Sequence, residues 1–395
     1  MSGMDGLDPT ALLLGRADRS GFVVADRDSH VLTIAPNRSG RVQHCLIPNL
    51  LTYPGRIVAV DLGGQAYAAT AEARRRMGHT VVRLDPFGVT GPETDALDPL
   101  DLLDGLEEPA LATACHDLAG LLPLRPSFGD VVEAEAFGLL SGLIGYHFAV
   151  PEKRSFDEIH STLNTDDVVY SLAVVLDTAG GRIRKTSYEE IASFLRREEK
   201  ARDRILARLT SQFTALGNPE VRRTLRQSTV SLADLAAGQP VTVYLILPVE
   251  QLEIHAVLLR LWIGTLLHRV SGSRGDAVPP ALFLLDHTAE LGPFPLLDSV
   301  LRTGAERNGY RIWTFWHDLH QLRATYPGSW PAIVSGSGAV QVFGTSDAAA
   351  ASEVEDLLGL PANEVWSLGP EEQLVRLDAV RRVGKLDPED GLLAG

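Results

Sequence analysis

The chain has 395 residues, 45% hydrophobic and 22% charged, a composition that describes a folded protein of more than one domain and excludes a disordered or fibrous one. Lys and Arg number 36 against 51 Asp and Glu, a net charge of −15, which argues against a free-standing nucleic-acid binder because phosphate backbones need a positive footprint. Only Cys45 and Cys115 occur, without CxxC or Cys/His spacing, so neither a disulfide framework nor a zinc site is encoded.

The first 20 residues carry one brief apolar run, Leu12–Leu14, and lack the basic and long apolar regions of an export signal. His30–Ala35 reads as a strand, Pro36–Gly40 as a polar loop and Val42–Leu51 as a helix. A second strand, Arg56–Asp61, leads to a helix, Gln65–Met77, and a third strand, Thr80–Leu84, that Asp85-Pro86 ends. Arg74, Arg75 and Arg76 read as cations complementing the C-terminal dipole of that helix. Strands alternating with helices imply a parallel sheet.

From Asp95 to about Gly217 the sequence turns helix-rich, and its basic stretch through Arg196, Arg197, Lys200, Arg202, Arg204 and Arg208 is broken by acids as on a solvated face. The alternation then resumes. Strands are expected at Val241–Leu247, Ala281–Asp286, Arg311–Trp316 and Val340–Phe343, and helices near Gln251–Val270 and Leu296–Ala305, from Asp318, and at Ala348–Leu358. Trp313 and Trp316 read as core packing rather than base-stacking platforms. No apolar stretch reaches the roughly 18 residues of a membrane span. The expected organisation is an N-terminal segment 1-20, a nucleotide-binding-fold domain at 21-94 and 218-383, an inserted all-helical domain at 95-217, and a polar, flexible tail at 384-395.

A phosphate-binding loop needs small residues whose N–H groups wrap phosphate, a Lys for the outer phosphates and a hydroxyl for magnesium. Ala35–Val42 is the matching window. Against GxxxxGK[ST], Ala35 replaces the first Gly, Gly40 is kept, Arg41 replaces Lys and Val42 replaces the hydroxyl residue. A planar guanidinium does not reproduce a compact ammonium, and Val42 cannot ligate magnesium. On local sequence alone an ordinary strand-to-helix turn is the better reading, because degenerate matches to this loop are common.

Context adds to this. "APNRSGR" at Ala35–Arg41, "LIPNLL" at Leu46–Leu51 and "PGRIVAVD" at Pro54–Asp61 together resemble the type IV secretion coupling proteins, the TraG-like conjugative DNA-transfer ATPases, whose loop is similar to "PTRSGKG" before "IPNLL". The likeness continues through Asp85-Pro86, Asp98-Pro99-Leu100 and Val243–Leu245. "LFLLDHTAELG" at Leu282–Gly292 resembles the family's "LIDEFAALG", and Arg311–Leu322 its strand ending in "ILQDLSQL". Where the family has Asp-Glu this chain has Asp286-His287, and the family's Gln is His317.

The resemblance implies an α/β, RecA-like P-loop NTPase fold, with a parallel-rich twisted sheet and an inserted all-helical domain, assembled as a ring at the inner membrane. It implies ATP and Mg as cofactors, Asn37, Arg38, Ser39, Gly40, Arg41 and Val42 at the nucleotide, Asp286 at the metal, and Asp286, His287 and His317 at the catalytic positions. Read as a metal site from the residues themselves, those three lack a His-x-x-x-His or Cys partner. Loss of the Lys, the hydroxyl and the Glu removes separate sources of transition-state stabilisation.

The expectation is a soluble, cytoplasmic coupling-protein homologue, a pseudo-ATPase adaptor that recruits a secretion or conjugation substrate or partner subunits. It would sit in a homo- or hetero-oligomeric ring with an active paralogue, with DNA as a possible cargo and the membrane reached only through partners. The alternative is an active, divergent ATP-driven DNA translocase in which Arg41 and His287 replace Lys and Glu, since imidazole can serve as a base. A third reading, an isolated DNA-binding module, is disfavoured by the acidic balance unless a ring concentrates basic residues at its pore.

Overall fold

The computed structural model describes residues 7–17, 21–124, 130–271, 278–303, 305, 309–345 and 347–387. Its strands are β1 (Leu12–Arg16), β2 (Phe22–Ala25), β3 (His30–Ile34), β4 (Ile57–Leu62), β5 (Thr80–Leu84), β6 (Val241–Leu247), β7 (Ala281–Leu285), β8 (Tyr310–Trp316), β9 (Ser337–Phe343), β10 (Glu372–Arg376) and β11 (Val380–Gly384). They form one 11-stranded sheet in the order β2-β1-β11-β10-β9-β3-β8-β7-β4-β6-β5. β3 pairs in parallel with β8 and β9, β7 with β8, and β4 with β6 and β7. β9, β10, β11, β1 and β2 are antiparallel to one another.

Every residue of β6, β7 and β8 is buried. These buried and mostly apolar runs, with Thr242, Arg311 and Thr314 as polar exceptions, are what parallel strands require when helices cover both faces of the sheet, and the alternation read from sequence reported them well. The antiparallel extension escaped that reading. β1 carries a Gly within a short apolar run, and β11, Val-Arg-Arg-Val-Gly, shows charges that look like a solvated segment.

A buried polar chain ties the two halves of the sheet together. Trp313 Nε1 donates to Thr33 Oγ1 at 2.7 Å, Thr33 Oγ1 donates to Gln341 Oε1 at 2.7 Å, and Gln341 Nε2 donates to the Leu14 carbonyl at 2.9 Å and to Gln373 Oε1. It thus runs from β8 through β3 and β9 to β10 and β1, and each member has its partner, the condition under which a buried polar network stabilises. Arg311 does similar work at the N-terminal hairpin: it is fully buried, and its guanidinium donates to the carbonyls of Thr10, Ser29, Ala25 and Asp26.

Arg74 corrects a sequence expectation. It does not cap a helix end in solvent but is fully buried, donating to the carbonyls of Leu50, Tyr53 and Gly55 and to Thr242 Oγ1, beside the His79 ring. Burial drives its pKa down to about 10. Arg75 and Arg76 are exposed, as solvated cations are.

The chain divides into two compact units, the first comprising 1–83, 233–249 and 270–395 and holding the sheet. The second comprises 84–232 and 250–269, and the expected insertion 95-217 falls inside it. At its centre is the helix Val131–Ala149, started by an Asp130-x-x-Glu133 cap in which Asp130 Oδ1 accepts from the Glu133 N–H at 3.1 Å. The helix Lys185–Leu195 lies against its glycine-bearing stripe, where a Cβ on Gly145 would fall 1.9 Å from Ser187 Oγ, so only Gly permits the approach. Of the basic stretch, Arg197 pairs with Glu135 and Arg208 with Glu133, consistent with an ordinary surface helix.

Of the tail 384-395, residues 388–395 lie outside the described residues. Residues 385 and 386 are anchored: Leu386 is fully buried, and the Lys385 N–H donates to the Glu371 carbonyl at 2.7 Å. No helix among the described residues is long and apolar enough to cross a membrane.

Candidate functional site

β3 ends at Ile34 and the chain turns through Pro36–Gly40, with the Ser39 N–H donating to the Pro36 carbonyl at 3.2 Å. Arg38 and Gly40 both take the left-handed conformation, at φ 62 and φ 83. Val42–Leu46 then forms a wide π-type turn that runs into the helix Ile47–Thr52. Pro48 brings no N–H to that helix, and the Asn49 Nδ2 donates to the Cys45 carbonyl at 2.8 Å. Asn49 is fully buried and also pairs both ways with the Leu13 backbone, its Oδ1 accepting at 2.9 Å and its Nδ2 donating at 2.9 Å. The Asn of "LIPNLL" therefore pins β1 to the loop helix, a structural duty invisible in sequence because β1 itself was not read as a strand.

Arg41 is the centre of the site. Its side chain is buried, with Nε 2.5 Å from Asp286 Oδ1, Nη1 donating to the Ala35 carbonyl at 3.3 Å, and Nη2 on His287 Nε2. A guanidinium only donates, so His287 Nε2 is the acceptor and its proton sits on Nδ1. Asp286 also accepts from the His287 N–H at 2.8 Å, and His287 holds a left-handed conformation at φ 52. Burial pushes the His287 imidazole below its usual pKa; Asp286 opposes this and Arg41 reinforces it.

The structure thus brings Arg41, Asp286 and His287 together. His317 is engaged by other partners: its Nδ1 lies 2.9 Å from Asp318 Oδ2, and its N–H donates to Gln321 Oε1 at 2.9 Å. Its charge adds to the downward pull on the His287 pKa. Asn37 and Arg38 are exposed on the loop, and Val42 offers no oxygen. Among the described residues no group of three or more His, Cys, Asp or Glu is placed to hold a metal ion.

On the other side of the loop, toward β9, lies a cavity of about 710 Å³ lined by Arg38, Ser39, Gly40, His44, Trp366 and Lys385 among others. Lys385 Nζ donates to the Ser39 carbonyl at 3.2 Å, and His44 Nδ1 donates to the Leu386 carbonyl at 2.5 Å. Sequence reading assigned nothing to His44, Trp366 or Lys385; only the course of β9, β10 and β11 carries the last two to the loop.

A parallel-rich sheet with a phosphate-loop turn after β3 and an acid at the end of β7 defines a RecA-like P-loop NTPase fold. The family model for type IV secretory system conjugative DNA transfer matches residues 4–365, and the chain belongs to that family. It is 25% identical over 312 residues to the probable conjugal transfer protein TraG of Sinorhizobium fredii (strain NBRC 101917 / NGR234), covering 76% of this chain and 47% of that protein. It is 24% identical over 345 residues to VirD4 of Rhizobium radiobacter, covering 82% of this chain and 46% of that protein. The chain thus spans about half the length of these relatives.

Among solved structures, the plasmid coupling protein TrwB in an unbound form superposes with a TM-score of 0.72 at 12% identity, over 94% of this chain and 88% of that one. TrwB in complex with the non-hydrolysable GTP analogue GDPNP gives 0.70 at 12%, over 90% and 85%. At that identity the likeness establishes the fold, and the RecA-like architecture expected from sequence is the one found.

Proposed function

We propose that this chain is a coupling-protein homologue of conjugative transfer that does not hydrolyse ATP and acts as an adaptor, recruiting a transfer substrate or partner subunits within an oligomer of the family. The observation that carries the reading is the Arg41–Asp286 contact. In a working phosphate loop the cation reaches outward to the phosphates and the acid helps hold magnesium. Here each group neutralises the other.

The residues present do not fit magnesium with a triphosphate. Asp286 is engaged by Arg41 and by the His287 N–H, Val42 has no hydroxyl, and His287 presents its Nε2 lone pair to Arg41 rather than to an attacking water. TrwB is described in complex with ADP and Mg2+, so the departure is this chain's own. A ring in which such a subunit sits beside active ones, and meets the membrane through them, accommodates both the family membership and the closed site.

The test is ATP hydrolysis with magnesium by the purified protein, beside the variant Arg41→Lys, Val42→Ser, His287→Glu. The expected result is no wild-type turnover. Clear wild-type turnover abolished by Asp286→Ala would overturn the reading and make the chain a divergent motor.

A further inference from the structure

We propose that the exposed face of the helix Val168–Ala179 is a contact through which two copies of this chain pair, antiparallel about a two-fold axis passing between Ala173 and Val174. The inference goes beyond the proposed function and does not rest on it.

Composition and burial disagree in this helix. Its sequence, VVYSLAVVLDTA, is apolar on every side, and a helix of that kind is ordinarily a buried one. Yet only Leu172 and Ala179 are buried in it. The helices Phe156–Leu163 and Lys185–Leu195 pack against it, and Tyr170, Ala173, Val174 and Asp177 are left outside, with Tyr170 68% exposed. Tyr188 extends that face: a Cβ on Gly180, just past the helix end, would fall 3.1 Å from its ring. The neighbouring hydroxyls turn onto the helix backbone, Ser171 Oγ donating to the Asp167 carbonyl and Thr178 Oγ1 to the Val174 carbonyl, both at 2.7 Å. The surface therefore presents methyl groups and ring carbons.

The polar groups along the face select a second copy as its occupant. Tyr170 and Asp177 are two helical turns apart, so they stand on the same side at about 10 Å from each other. Among the described residues neither the Tyr170 hydroxyl nor the Asp177 carboxylate has a hydrogen-bond or ion-pair partner. An antiparallel pair sets each Tyr170 across from the other copy's Asp177, where the phenol donates to the carboxylate. The ends match as well. Asp166 and Asp167 precede the helix, while Arg182, itself 3.2 Å from Glu152, and Arg184 follow it, and the same axis brings the acids of one copy beside the bases of the other. A parallel pair would oppose acid to acid and align the helix dipoles. Ala173 and Val174 at the axis are small enough for close approach. The contact is isologous, unlike the head-to-tail contacts that close a ring.

The test is site-directed cross-linking of the full chain in a glutathione redox buffer. Cys45 and Cys115 are buried, so Ala173→Cys supplies the reactive thiol at the axis. Its disulfide-linked dimer should exceed by about fivefold or more that of Ala207→Cys, an exposed alanine on the helix Glu199–Phe213. Adding Tyr170→Glu, which opposes a carboxylate to Asp177, should lower the yield about tenfold. Adding Asp177→Lys to that variant should restore it to within about threefold, since the two introduced charges then face each other across the axis. These side chains are exposed, and unchanged thermal melting of each variant checks that the fold is intact. Equal cross-linking of Ala173→Cys and Ala207→Cys, indifference to Tyr170→Glu, or no recovery with Asp177→Lys would each overturn the proposal and leave the face to a different protein. Failure here leaves the proposed function standing, because ATP turnover is measured separately.

Discussion

Arg41 Nε lies 2.5 Å from Asp286 Oδ1, joining the loop after β3 to the end of β7 across the intervening β8. Both side chains are nearly inaccessible, at 10% and 4% exposure, so each is the other's principal solvation.

Removing one partner of such a pair strands a buried charge. Arg41→Ala and Asp286→Ala should each cost about 3 kcal/mol, and the double variant should cost less than their sum by about 1 kcal/mol or more. Chemical denaturation followed by tryptophan fluorescence reads this, since Trp313 and Trp316 lie on the neighbouring β8. Simple additivity would mean that the contact is not a coupled pair.

Arg74 and Arg75 are adjacent in sequence and opposite in environment. Arg74→Met, which leaves the carbonyls of Leu50, Tyr53 and Gly55 without their donor, should lower stability by about 3 kcal/mol. Arg75→Ala, exposed beside Glu72, should stay within about 0.5 kcal/mol. Equal melting temperatures for the two variants would remove Arg74 from the core.

Gly40 sits at φ 83, and a Cβ there would lie 2.5 Å from His44 Cδ2, whereas Gly63, at φ 86, has open space around it. Gly63→Ala should therefore show only the left-handed backbone cost of about 1 kcal/mol, and Gly40→Ala more than that because His44 must also move. Displacing His44 should free the Leu386 carbonyl, read as faster amide exchange near residues 385–387 in Gly40→Ala alone.

Two opposed groups contribute to the acid stability of the second unit, beside His160, His255 and His268, whose imidazoles burial also holds below their usual pKa. Burial lowers the pKa of His147 to about 4, so the unfolded chain binds the extra proton between pH 6.5 and 4, and this contribution is lost as pH falls. Burial raises Asp98 to about 7, so the folded chain holds the extra proton between about 4 and 7, and that contribution is lost as pH rises. The two offset one another over most of this window. Asp98→Asn should unmask the histidine, giving stability that falls by up to about 3 kcal/mol from pH 7 to 4. Amide exchange in the helix Val131–Ala149 measures it, and a flat profile in Asp98→Asn would reject the assignment.

What the sequence determined by itself was whatever depends on period and residue type: the strand–helix alternation from β3 to β9, the loop at Ala35–Val42, and the replacement of Lys, hydroxyl and Glu by Arg41, Val42 and His287. Those properties are local, and a window of ten residues carries them. Destinations are not local. The arginine that departs from the loop pattern could have pointed at solvent or ligand, and only the order β3-β8-β7 turns it onto Asp286. Arg74 looked like a cap until the carbonyls of Leu50, Tyr53 and Gly55 were found around it. Lys385 meets the loop from 346 residues away because β10 and β11 extend the sheet past β9, which no composition or spacing announces. A buried donor goes where the packed backbone leaves an acceptor, and that choice is made by tertiary structure.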